Sequence, residues 1–135
     1  MLFKYSNMKD IEQLGVHDCV FSGFSYDYEN RKVDFVLVDP ITRIDHVFCF
    51  ENVIFIDLQS CSFWHGGCNV IDMYVNELPL AQERYWKDEA GKHDWYIGSQ
   101  LGKGIAYISV GLQLNSGDTL DIISETLCYS KIGDS

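Results

Sequence analysis

The densest run of reactive side chains is Cys61-Ser62-Phe63-Trp64-His65-Gly66-Gly67-Cys68, two thiols and an imidazole within eight residues. Thiolate and imidazole are preferred zinc ligands, and paired glycines let a loop fold around an ion, so Cys61, His65 and Cys68 form a candidate metal set. Their spacing is not that of a zinc knuckle, and the chain contains no CxxC pair. A fourth ligand would have to come from His17 or Cys19. The same loop suits a cysteine nucleophile: Cys68 follows two glycines whose N–H groups can face an oxyanion, with His65, His17 or His46 as base. No protease or transferase signature surrounds Cys68. The plainer reading is that Phe63 and Trp64 anchor a loop in which Gly66 and Gly67 make a tight turn. It is preferred, with no catalytic residue and no cofactor expected, and zinc is not expected in protein purified without chelator.

The remaining histidines are weaker candidates. His17-Asp18 and His93-Asp94 repeat a dipeptide, but neighbours on a strand point to opposite faces, which makes a local proton relay poor. His17 is expected to bond backbone near the start of a strand. His46 alternates with apolar residues and reads as a satisfied core histidine. Walker and dinucleotide-binding glycine patterns are absent, Gly102-Lys103-Gly104 lacking the flanking residues, and the carboxylates do not follow a calcium-loop pattern.

The chain that must position these groups has 135 residues, of which 47% are apolar and 22% charged, the composition of one globular domain spanning 1–135. Its net charge of −10 argues against a nucleic-acid binder or a protein docked on an anionic membrane. That charge favours a basic protein partner. No window approaches the roughly 20 apolar residues of a membrane span, and the N-terminus lacks a signal-peptide core. Five cysteines without dense, even spacing imply reduced thiols and a cytoplasmic location. Cys49 and Cys128 fall in apolar runs and are expected to be small buried hydrophobes.

Periodicity places the elements. Asn7 to Gly15 reads as a short helical turn capped by Asn7, with Met8, Ile11 and Leu14 on one face and Gly15 ending it. From Val16 to Tyr28 the pattern becomes a strand, and Glu29-Asn30-Arg31 turns it into a second strand carrying Val33, Phe35 and Leu37. Ile44, His46, Phe48 and Phe50 alternate next, until Glu51-Asn52 breaks the run before Val53 to Leu58. Asn69 to Leu78 fits helix or strand, its β-branched content favouring strand. Pro79 to Ala90 fits a helix, or a hairpin that pairs Arg84-Tyr85-Trp86 with Trp95-Tyr96-Ile97. Ala106, Ile108, Val110, Leu112 and Leu114 share a face, and Asn115-Ser116-Gly117-Asp118 turns the chain toward Leu120 and Ile122. The sum is an α+β, mainly antiparallel fold: one curved or half-closed sheet of about six or seven strands with one or two short helices. Phe35, Leu37, Phe48, Phe50, Val110, Leu112, Leu120 and Ile122 should form its core.

Tyr26, Tyr28, Tyr74, Tyr85, Trp86, Trp95, Tyr96 and Tyr107 exceed what a small core needs. Rings set among acids suit protein contacts, and equally they can simply cover a thin sheet. Trp64, His65, Tyr85, Trp86, Trp95 and Tyr96 are the candidate binding residues.

Three stretches together resemble a loosely defined group of small bacterial proteins that includes immunity proteins of polymorphic toxin systems. They are Leu14-Gly15-Val16-His17-Asp18-Cys19, Phe50-Glu51-Asn52-Val53 with the aromatic-glycine loop at Trp64, and Leu114 to Ile122. His65 stands where members often place glycine. The resemblance implies a non-enzymatic inhibitor with no catalytic residues to transfer. The alternative is a small enzyme or a metal- or ligand-binding domain built on the Cys61–Cys68 loop.

Overall fold

The computed structural model describes residues 1–59, 69–76 and 106–133. It shows seven strands in one antiparallel sheet and, among the described residues, a single short helical segment. The strands are β1 (Leu2–Phe3), β2 (Val20–Asp27), β3 (Lys32–Val38), β4 (Asp45–Gln59), β5 (Val70–Asn76), β6 (Ile108–Leu114) and β7 (Thr119–Ile132). Their order is β2-β3-β4-β7-β6-β5, with β1 added to β7.

The spine is the β4–β7 pair, whose 15 and 14 residues run antiparallel from Asp45↔Ile132 to Gln59↔Thr119. On β4, His46, Phe48 and Phe50 are buried, then Glu51 and Asn52 are exposed, and burial resumes at Val53. Opposite them, Glu125 and Thr126 separate buried Ser124 from buried Leu127. Inward alternation therefore slips on both strands at one level, which bends the spine. Asn52 takes a left-handed φ of 53° there, a conformation asparagine tolerates better than most residues. Its side-chain amide donates to Glu125 Oε2 at 2.9 Å. What reads in sequence as two strands broken at Glu51-Asn52 is thus one bent strand.

The bend lets the two edges of the sheet meet at one end. Val20 at the start of β2 bridges Asn69, just before β5. Asp18 N–H donates to Val70 O at 2.9 Å, and Val70 N–H donates to Cys19 O at 2.8 Å. Among the described residues the two edges have no further pairing, and the sheet is half-closed.

All eight of the anticipated core residues are buried, Leu37, Phe48 and Phe50 completely. The helical segment is a 3-10 helix, Tyr5–Gln13, that packs Met8 and Ile11 into the same core, with Leu14 against it. It starts before Asn7, which is a kink inside it (φ −127°, ψ 19°) instead of its first cap. Asn7 Oδ1 accepts the Lys4 N–H at 2.7 Å, and Gly15 ends the segment at φ 70°. Asn69 onward forms a strand, β5, as its β-branched residues favour. Its Tyr74 ring lies across Gly111 of β6, in the space a Cβ there would take, so a larger residue at that position would displace the ring. The alternatives for Pro79 to Ala90 and its partner segment lie outside the described residues.

Candidate functional site

The inner face of the sheet carries a continuous series of ring contacts that begins in the core and ends at the rim. Ring centroids are 5.9 Å apart for His46 and Tyr129, 5.1 Å for Tyr129 and Phe48, and 4.7 Å for Phe48 and Phe35. The series continues from Phe35 to Phe21 at 5.8 Å, to Phe24 at 6.5 Å, and to Tyr26 at 6.4 Å. It crosses β7, β4, β3 and β2 in that order of neighbourhood. Exposure rises along it, from 0% at Phe48 to 63% at Tyr26, with Tyr28 just beyond at 87%.

A bulge makes this geometry. Phe21 pairs with Leu37, but Gly23 pairs with Val36 and Phe24 with Phe35, so Ser22 is the extra residue. With Ser22 looped out, Phe21, Phe24 and Tyr26 line one face although they are three and two residues apart. Gly23 beside the bulge was the available sequence signal.

The buried end of the series is a polar pair. His46 Nδ1 and the Tyr129 hydroxyl are 2.6 Å apart, joined by a hydrogen bond that satisfies both inside the core. Burial, with Lys131 adding to it, pushes the His46 pKa down, against the opposing pull of Asp39 and Asp45. Burial likewise pushes the Tyr129 hydroxyl up. His46 is the satisfied core histidine that its alternation suggests. Its partner was not legible, because Tyr129 is 83 residues away in sequence.

The exposed end is acidic. Asp27 closes the β2–β3 turn, its carboxylate accepting the Asn30 N–H at 3.1 Å and the Asn30 side-chain amide at 2.7 Å. These bonds hold the Asp27 carboxyl below its ordinary range, so it stays ionised beside Tyr26 and Tyr28. Asp39 does the same in the β3–β4 turn, accepting from the Ile41 and Thr42 N–H groups at 2.8 and 3.0 Å.

The two sheet edges are treated differently. The β5 edge is met by the 3-10 helix, where Glu12 Oε2 accepts the Val75 N–H at 3.2 Å. Among the described residues, β2 has no strand on its outer side beyond the single bridge at Val20.

Other sequence candidates fall as follows. Trp64, His65, Tyr85, Trp86, Trp95 and Tyr96 lie outside the described residues, as do Cys61 and Cys68 and with them the metal and nucleophile readings. Among the described residues no three His, Cys, Asp or Glu side chains are grouped to hold a metal. His17 and Asp18 are a correction: they precede β2 in a turn, Asp18 at φ 67°, so their side chains meet at 3.1 Å in solvent instead of diverging across a strand. Cys128 is a second correction. It is exposed, and Cys49 is half-buried, because the inward set on these strands is Phe48, Phe50, Leu127 and Tyr129. Of the surplus aromatics among the described residues, Tyr107 is buried and Tyr74 half-buried, while Tyr26 and Tyr28 are exposed.

No protein-family model matches the chain, and no curated protein matches it. No helix among the described residues is long and apolar enough to cross a membrane.

Proposed function

We propose that this protein is a non-enzymatic interaction module of the cytoplasm that binds a basic protein, in the manner of an immunity-type inhibitor covering a toxin or effector. The observation that carries the reading is the ring series leaving the core along β2, where Tyr26 and Tyr28 stand exposed beside ionised Asp27. Rings bury much area at little entropic cost, and Tyr26 is further held by its contact with Phe24. The surrounding carboxylates and the overall charge of −10 attract a cationic surface and disfavour an acidic one.

The test is a pull-down against the basic products of neighbouring genes, followed by binding kinetics with Tyr26→Ala and Tyr28→Ala. A tight complex that both substitutions weaken is the expected result. Turnover abolished by Cys68→Ser, or a tight complex indifferent to both tyrosines, would overturn it.

A further inference from the structure

The outer face of the spine brings together two thiols and a carboxylate that the binding surface does not use. Cys49 on β4 and Cys128 on β7 are register partners, and Asp34 on β3 is the partner of Cys49 on its other side. Both thiols are free in the structure.

Main-chain bonding defines how the two cysteines face each other. Met1 and Tyr129 exchange both backbone bonds, each at 2.8 Å, so Tyr129 turns its N–H and C=O toward β1. Its neighbour Cys128 therefore turns toward β4. On the other strand, Asp39 N–H donates to Ile44 O at 2.9 Å, which sets the even residues of this half of β4 toward β3 and Cys49 toward β7. Cys49 and Cys128 are thus a hydrogen-bonded pair, in which the Cα atoms stand about 5.5 Å apart. A disulfide accepts Cα separations of roughly 4.4–6.8 Å.

We propose that Cys49 and Cys128 form a reversible oxidation site on the outer face of the sheet, a cross-strand dithiol that closes to a disulfide by exchange with a low-molecular-weight disulfide such as oxidised glutathione. Cys128 is the exposed member and reacts first. Its thiolate attacks one sulfur of the small disulfide, forming a mixed disulfide and expelling one thiolate. The Cys49 sulfur, after losing its proton, attacks the Cys128 sulfur and expels the second thiolate. The protons of the two protein thiols end on the two released small thiols. Two protein sulfurs are oxidised, and one external disulfide is reduced.

The environment of Cys49 assigns it the second role. Burial and its hydrogen bond to Asp34 push the Cys49 thiol up to about 11, so it is the less ready of the two to attack an external disulfide, and its register position beside Cys128 suits it to close the mixed disulfide. Closing the bond draws the two Cβ atoms in by about an ångström from ordinary cross-strand spacing. A bond made under such strain belongs to the easily reduced class that serves sensing in place of permanent bracing.

The experiment treats the full chain with oxidised and reduced glutathione in varied ratio, quenches with acid, alkylates the free thiols and cleaves after glutamate. Cleavage places Cys49 in residues 30–51, Cys128 in 126–135, Cys61 and Cys68 together in 52–77, and Cys19 in 13–29. The expected product is a peptide pair joining Cys49 to Cys128, lost on return to reduced glutathione. Cys49→Ser should trap Cys128 as a stable glutathione adduct, whereas Cys128→Ser should leave Cys49 open to alkylation and without adduct. Cys128 found only as an adduct in the unaltered chain, or joined to Cys61 or Cys68, would overturn the proposal. The unaltered chain alone decides it, whatever the substitutions do to folding.

Discussion

On β3 and β4, one step along the strand exchanges one environment for another. Phe35 and Phe48 on the inner face are 1% and 0% exposed, their rings 4.7 Å apart. Asp34 and Cys49, register partners on the outer face of the same strands, hold a carboxylate and a thiol at an intermediate depth. The difference follows from strand geometry, in which successive side chains point to opposite faces. It teaches that this half-closed sheet separates environments by face: apolar packing inside, half-buried and exposed polar groups and thiols outside, and exposed rings at the rim where the inner face runs out into solvent.

The largest test of that separation is truncation on the inner face. Phe35→Ala should cost about 3–5 kcal/mol and Leu112→Ala about 2–5 kcal/mol, through lost apolar transfer and the cavity left behind. Asp34→Asn, one residue away on the outer face, should change stability by less than about 1 kcal/mol. Denaturant midpoints decide this, and a loss below about 1 kcal/mol at Leu112 would mean that β6 turns a different face inward. The inner face was the most legible part of the chain, because Phe35, Phe48, Val110 and Ile122 recur with period two and neighbouring strands repeat the pattern. The thiols fall outside that inner set for the same geometric reason. Apolar neighbours do not bury a residue: the alternation that turns His46, Phe48 and Phe50 inward turns Cys49 outward, and that of Leu127 and Tyr129 does the same to Cys128. The slip at Glu51-Asn52 and the looped-out Ser22 change the phase of such alternation through backbone geometry, and neither change alters hydropathy.

A smaller effect is expected where the inner face turns polar. Tyr129→Phe leaves His46 Nδ1 buried without its hydrogen bond and should cost about 1–3 kcal/mol. The same pair gives stability a pH dependence with a defined sign. Burial, helped by Lys131, keeps His46 below its ordinary value despite Asp39 and Asp45, so between the two values the unfolded chain binds more protons than the folded one. Stability therefore falls as pH is lowered through about 6.5, and it levels off only below the folded-state value. Denaturation series from about pH 7.5 to 5 should show this slope in the natural chain and a shallower one in His46→Gln. An equal slope in both would place the titrating group elsewhere.

At the rim the comparison inverts, because residues that contribute little to stability should contribute most to binding. Tyr26→Ala and Tyr28→Ala should shift folding stability by less than about 0.5 kcal/mol, as exposed side chains do. Against a bound basic partner, each should raise the dissociation rate about tenfold or more if its ring is an anchor. The charge of the rim acts on the other rate constant. Raising ionic strength to the physiological range shortens the Debye length to about 8 Å. That screens the attraction exerted by Asp27, Glu29 and the rest of the acidic surface before contact, and leaves the desolvated ring contacts nearly untouched. The association rate should fall severalfold across a salt series while the dissociation rate barely moves. This is the smallest of the expected effects, and it is also the one that distinguishes the two components of the rim. An association rate indifferent to salt would remove the carboxylates from the account and leave the tyrosines. A dissociation rate that rises steeply with salt would show instead that the carboxylates form buried ion pairs in the complex.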